Sequence, residues 1–202
     1  DKIKILNLFM SYHGIFYIKI LHSFLYCLCI FNSMIVCITG TPGTGKTTVC
    51  KYLGLKCINL NEFAVENNCI EGYDRKRRAK IVDTECLKNK LKGMDNIVLE
   101  SHYAHFMKCD IVIVLRTSPS ILIKRLIEKG FDYKKMMDNL EAEALGLITY
   151  EAMEMHENVY EIDTGKYSLQ ETLKIINKII NGKGEKYRAG KIDYIKEVME
   201  WY

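Results

Sequence analysis

Gly40-Thr41-Pro42-Gly43-Thr44-Gly45-Lys46-Thr47-Thr48 is the stretch that decides the fold. It has the spacing Gly-x-x-x-x-Gly-Lys-Thr and follows the apolar run Ile35-Val36-Cys37-Ile38-Thr39. A helical pattern begins at Lys46 and runs to about Leu55. A glycine-rich turn between a buried strand and a helix aims successive backbone N–H groups inward, and the helix N-terminus adds positive potential, so the turn suits phosphate oxygens. In such a loop the lysine reaches the β- and γ-phosphates of a nucleoside triphosphate, and the following hydroxyl meets Mg²⁺. Gly43, Gly45, Lys46, Thr47 and Thr48 are therefore the expected phosphate contacts, with Thr47 toward the metal.

Working outward, Cys57 to Leu60 is a short apolar segment, and Asn61-Glu62 opens a helix through Val65. Gly72-Tyr73-Asp74 interrupts the pattern. A helix is expected over Thr84 to Leu91 with Asp83 as its cap. Ile97-Val98-Leu99 reads as a buried strand ending on Glu100, and Ile111 to Leu115 as the clearest parallel strand. A helix over Pro119 to Lys129 is stopped by Gly130; a single helix is expected from Tyr133 to Met155, a last strand at Tyr160-Glu161-Ile162-Asp163, and a helix over Leu169 to Ile180. Strands alternating with helices imply a three-layer α/β P-loop fold around a parallel sheet.

Composition sets wider bounds. The 202 residues fit one domain, 27% are charged, and the net charge of +4 neither demands nor excludes a nucleic-acid partner. Residues 1–33 differ from the rest: Ile15 to Phe31 is rich in large apolar residues but broken by Lys19, His22 and Ser23. That stretch meets neither the length of a membrane span nor the cleavage-site pattern of a signal peptide. Residues 1–33 are expected to be an extension outside the fold, such as an upstream translation product, with an amphipathic membrane anchor as the alternative. The P-loop domain is expected over 34–202, without a membrane partner. The 8 cysteines include no Cys-x-x-Cys pair, so they are expected as buried free thiols, which implies a reducing, intracellular and cytoplasmic setting.

The phosphate loop is shared by GTPase switches, ATPases and small-molecule kinases. A guanine-reading Asn-Lys-x-Asp is not matched by Asp163-Thr164-Gly165-Lys166, and a large oligomeric ATPase brings further domains that this length does not hold. A small kinase needs cations and a lid around the transferring phosphoryl group. Arg116 ends a strand at the carboxyl edge, where ligands bind, and Arg125 lies on the next helix. Lys129-Gly130 opens a turn followed by Lys134 and Lys135; each of these basic residues can equally be a solvated surface charge. Glu100, at a strand end beside the loop, is placed to order Mg²⁺ through water. His102 is placed to orient an attacking group or water, whereas His105 is read as structural.

Gly40–Thr48, Glu71-Gly72-Tyr73-Asp74, Glu100-Ser101-His102, Leu115-Arg116-Thr117 and Arg125-Leu126 occur in that order. With Gly182-Lys183-Gly184-Glu185 and Gly190-Lys191-Ile192-Asp193, they resemble the small archaeal and eukaryotic nuclear-type adenylate kinases that also serve in small ribosomal subunit maturation. The resemblance runs from Met34 nearly to Tyr202. It implies ATP and AMP as substrates with Mg²⁺, giving two ADP, alongside ATPase activity. It implies a monophosphate-binding segment at about 59–82, a short lid at about 128–138, and Lys166 near the adenine. A small-subunit ribosomal protein and rRNA are the implied partners, and Arg75-Lys76-Arg77-Arg78 is either a solvated surface or an RNA contact. Two residues depart from the family pattern: Glu100 stands where the family has Asp, and Lys129 where its lid commonly has Arg. A lysine supplies charge but not a bidentate fork.

Overall fold

The computed structural model describes residues 34–75 and 79–199. What was expected of residues 1–33, and of Lys76, Arg77 and Arg78, lies outside the described residues. The strands are β1 (Ile35–Thr39), β2 (Cys57–Asn59), β3 (Ile70–Asp74), β4 (Ala79–Val82), β5 (Ile97–Glu100), β6 (Ile111–Arg116) and β7 (Val159–Asp163). The helices are α1 (Lys46–Tyr52), α2 (Leu60–Glu66), α3 (Thr84–Lys90), α4 (Pro119–Glu128), α5 (Tyr133–Ala144), α6 (Leu147–Met155), α7 (Leu169–Ile180) and α8 (Ile195–Met199).

Five strands form a parallel sheet in the order β2-β5-β1-β6-β7. Every residue of β5 and β6 is buried, which is why both read as unbroken apolar runs rather than alternating ones. Pairing of Ile38 with Glu100 and of Asn59 with Glu100 brings the carboxyl ends of β1, β2 and β5 to one edge. The phosphate loop leaves β1 at that edge, so strand register alone places Glu100 beside it. The main core packs Leu60, Leu87, Leu99, Val112 and Val114 together, and a second cluster of Leu122, Leu126, Met136 and Leu140 joins α4 to α5.

Four expectations need correction. The helix after the phosphate loop ends at Tyr52 rather than about Leu55. Gly72-Tyr73-Asp74 does not interrupt the structure: it lies in β3, which pairs antiparallel with β4 as a separate hairpin. The stretch from Tyr133 to Met155 is two helices, broken at Gly146 with φ of 64°. A Cβ there would also stand 3.3 Å from Arg116 Nη1, so a side chain would press on the guanidinium. The six described cysteines are not free thiols either: Cys37–Cys109, Cys50–Cys57 and Cys69–Cys86 are disulfides, with Cα–Cα distances of 5.9, 5.8 and 5.5 Å, and Cys27 and Cys29 lie outside the described residues. Free thiols were the ground for a reducing compartment, and that ground is removed. Among the described residues, no helix is long and apolar enough to cross a membrane.

Candidate active site

The loop from Gly40 to Gly45 turns tightly against β6. Gly40 has φ of 133°, and a Cβ on it would sit 2.2 Å from the carbonyl oxygen of Leu115, so only glycine fits. Lys46 enters α1 buried, 8% exposed, with its ammonium donating to the carbonyls of Gly40 at 2.7 Å and Thr41 at 3.1 Å. Burial outweighs the attraction of Glu100 and lowers its pKa to about 8. A buried cation held only by loop carbonyls is poised to exchange them for phosphate oxygens.

Glu100 closes the far side of the loop. Its carboxylate accepts from Thr47 Oγ1 at 3.2 Å and from Asn59 Nδ2 at 2.7 Å. Asn59 also caps α2, its side-chain oxygen accepting from the N–H groups of Asn61 and Glu62. A hydroxyl beside a carboxylate, at a loop that holds phosphates, is a hard oxygen set that fits Mg²⁺. Thr47 and Glu100 would hold the ion, Glu100 partly through water, and the ion would neutralise phosphate charge.

His102 stands exposed at the rim of this pocket, next to Tyr103 in an edge-to-face contact. Partial enclosure and then the Lys46 charge lower its pKa; because the residue is open to water, screening shrinks the effect without reversing it. Its ring is therefore neutral near pH 7 and able to accept a proton. His105 is buried, with Thr39 Oγ1 at 3.1 Å from Nδ1 and Glu151 at 3.1 Å from Nε2, in keeping with a structural part.

Two cavities meet at the phosphate loop. One, of about 250 Å³, is walled by Lys46, Thr47, Asn59, Asn61, Glu100 and His102. The other, of about 320 Å³, is walled by Thr48, Val49, Arg125, Tyr167, Leu169 and Thr172. Gly43, Gly45, Thr48 and Lys129 border both. Arg125 Nη1 donates to the Gly43 carbonyl and to Thr164 Oγ1, both at 3.2 Å, so it joins the loop to the turn after β7. Lys166 belongs to that turn and is exposed, but the neighbouring Thr164 and Tyr167, not Lys166, wall the cavity.

Arg116 is not brought into the cleft. Its guanidinium is 2% exposed and turned inward, with Nε donating to Glu143 at 2.7 Å and Nη1 to Glu161 at 2.6 Å. Burial would push its pKa down, but the two carboxylates outweigh that and raise it. The expectation that Arg116 faces a ligand is corrected for this reason: both acids lie behind the strand edge and capture it. Sequence reasoning also missed Asn59, Thr164 and Tyr167. The Asn59-x-Asn61-Glu62 cap pattern could have flagged the first; nothing local flags the other two.

A family profile described as an AAA domain matches residues 36–146. A protein of Methanosarcina barkeri named "Putative adenylate kinase" is 42% identical over 179 residues, covering 80% of this chain and 98% of that relative. A relative of the same name from Pyrococcus furiosus is 39% identical, covering 81% of this chain and 92% of its own length. The chain belongs to this adenylate kinase family. Among solved structures, a shikimate kinase from Acinetobacter baumannii superposes with a TM-score of 0.54 at 14% identity, over 78% of this chain and 98% of that one. That likeness is one of fold: the adenylate kinase family chain shares its parallel-sheet P-loop architecture.

Proposed function

We propose that the chain is an adenylate kinase that transfers the γ-phosphoryl group of ATP to AMP with Mg²⁺, giving two ADP. The observation that carries this reading is the pair of cavities meeting at Gly43, Gly45, Thr48 and Lys129. The cavity with Val49, Tyr167 and Leu169 offers apolar surface for an adenine, and the one with Asn59, Asn61 and His102 takes the acceptor beside the transferring group. Lys46 and Arg125 supply positive charge at the junction, and Lys129 brings the lid turn over it. Catalysis in such a site consists of positioning and charge neutralisation, so no covalent intermediate is needed. Screening nucleoside monophosphates as acceptors with MgATP tests the reading: AMP should accelerate ADP formation most. No acceleration by any monophosphate sinks it.

His102 favours a second activity in the same site. A neutral imidazole at the acceptor side, near Glu100, is suited to orient water when no monophosphate is bound, giving slow ATP hydrolysis. The resemblance adds a role in small-subunit assembly. Its test is ATP-sensitive binding to a small-subunit ribosomal protein or rRNA, and binding indifferent to ATP would remove it. We place the protein in the cytoplasm because ATP and AMP are its substrates; a thiol count on protein extracted under thiol-trapping conditions would show whether its disulfides persist there.

A further inference from the structure

Thr41 lies at one end of a chain of buried polar contacts that the cleft does not explain. Its hydroxyl donates to Glu143 Oε2, and Glu143 Oε1 accepts from Arg116 Nε at 2.7 Å and from the Thr117 N–H at 3.1 Å. Arg116 Nη1 donates to Glu161 Oε1 at 2.6 Å, where Thr149 Oγ1 also donates at 2.8 Å. The other oxygen of Glu161 accepts from the backbone N–H groups of Gly190, Lys191 and Ile192 at 2.9, 3.2 and 3.4 Å. Glu143 and Glu161 are 1% and 4% exposed.

Two carboxylates share one guanidinium here, which leaves a surplus negative charge away from water. Such a charge is tolerated only when its remaining lone pairs find donors. The C-terminal strap supplies three on Glu161, and Thr41 and Thr117 supply two on Glu143. Both ends of the cluster are thereby held, one by the strap and the other by the phosphate loop. The carbonyl of Thr41 in turn accepts from Lys46 Nζ at 3.1 Å and from Thr44 Oγ1 at 2.8 Å. The Thr41 peptide, fixed by its own hydroxyl on Glu143, thus sets where Lys46 waits. The strap continues into α8, which packs on α4 and α5, the helices flanking the lid turn, and Glu197 accepts from the Ser120 N–H at 2.8 Å.

We propose that Arg116, Glu143 and Glu161 are positioning residues that tie the C-terminal strap Gly190–Ile192 to the phosphate loop through Thr41, holding the loop in register for the triphosphate. The inference rests on the kinase reading above. Its test uses the full chain with Thr41→Val, Thr41→Ser, Glu161→Gln and the Thr41→Val/Glu161→Gln double variant. Calorimetry gives the Kd for MgATP, transfer to AMP gives kcat and KM, and thermal melts give Tm. Thr41→Val should lower kcat about tenfold and weaken MgATP a few-fold when assayed well below Tm, and should lower Tm by some degrees because Glu143 Oε2 loses its donor; Thr41→Ser should restore all three. Glu161→Gln should lose kcat in the same direction, and the double variant should lose no more than the worse single one, because both cut one chain. Should Glu161→Gln fail to fold, the contrast of Val with Ser at Thr41 decides alone. Thr41→Val with wild-type kinetics, Thr41→Ser no better than Val, or losses that multiply in the double variant would overturn the inference. A wild-type chain that binds MgATP but ignores Thr41 overturns this inference alone; one that binds no MgATP overturns the kinase reading with it.

Discussion

Lys46 carries the sharpest electrostatic conflict in the cleft: a buried ammonium whose hydrogen bonds go to two carbonyls. With its pKa lowered to about 8, it is protonated in neutral solution and loses its charge as pH rises further. A bound triphosphate favours the ammonium and raises that pKa, so binding above pH 8 must take up a proton. MgATP affinity should be flat below about pH 7 and weaken as pH rises through 8. Calorimetry in buffers of different ionisation enthalpy should show the proton uptake at about pH 9 and none at pH 6. An affinity independent of pH would put Lys46 outside the phosphate contacts. Replacing it, Lys46→Ala, should cut turnover roughly 10²–10³-fold, the usual cost of removing one preorganised charge at a transition state. His102→Ala should lower the rate per bound nucleotide more than affinity; collapsed affinity with an intact rate would make it a binding residue instead. The positions of Lys46, Thr47 and Glu100 around the phosphate loop were legible because each is fixed by spacing along a strand or loop. The contacts of Arg116 were not: its position at a strand end shows where the Cα lies, not that Glu143 and Glu161 compete for the guanidinium.

At the scale of elements, the segment proposed as a lid is a turn rather than a domain. α4 ends at Glu128 with Lys129 as its C-cap, and α5 begins at Tyr133 with Asp132 accepting from the Lys135 N–H at 2.9 Å. The turn is anchored by Leu122, Leu126, Met136 and Leu140, so in the proposed reading Lys129 would meet the phosphates from a short, firmly rooted tether. A lysine there makes point-charge contacts, whereas an arginine could grip two oxygens at once. Lys129→Arg is therefore expected to raise kcat for transfer to AMP several-fold, corresponding to about 1 kcal/mol from one added charge-assisted hydrogen bond. A slower or unchanged variant would mean that Lys129 does not meet the transferring group. Most elements could be read in advance because their apolar periods are long: α7 was bounded correctly, Leu169 to Ile180, from its pattern alone. Two of the misread elements fail for opposite reasons. In β3 a glycine masks a weak hairpin strand, whereas at Gly146 a lone glycine looks tolerable in a helix until the Arg116 guanidinium behind it is known.

For the whole molecule, the parallel sheet was legible because alternating strand and helix patterns permit few topologies. Cysteine pairing was not, since spacing carries no information on which chains the sheet brings together. The three disulfides join residues 72, 7 and 17 apart in sequence, and their stabilising effect should scale with the loop closed. Cys37–Cys109 closes the longest, linking β1 to the turn before β6, and a chain-entropy estimate gives it about 4 kcal/mol, against roughly 2–3 kcal/mol for each of the others. For a chain of this size 1 kcal/mol shifts Tm by about 2–4 °C, so full reduction should lower Tm by roughly 20 °C or more. The measurement is a thermal melt with and without a strong reductant, paired with thiol labelling of the denatured chain before and after reduction. Labelling should rise by at least six thiols on reduction as Tm falls. If all 8 cysteines label without reduction and the reductant leaves Tm unchanged, the pairs do not form in solution. Activity separates the architecture from the chemistry: none of the six paired cysteines walls either cavity, so reduced protein assayed well below its Tm should keep its kcat. A kcat lost at low temperature would show that a disulfide beside the phosphate loop, Cys37–Cys109 in the strand before it or Cys50–Cys57 on the helix after it, sets the loop's position as well as the fold's stability.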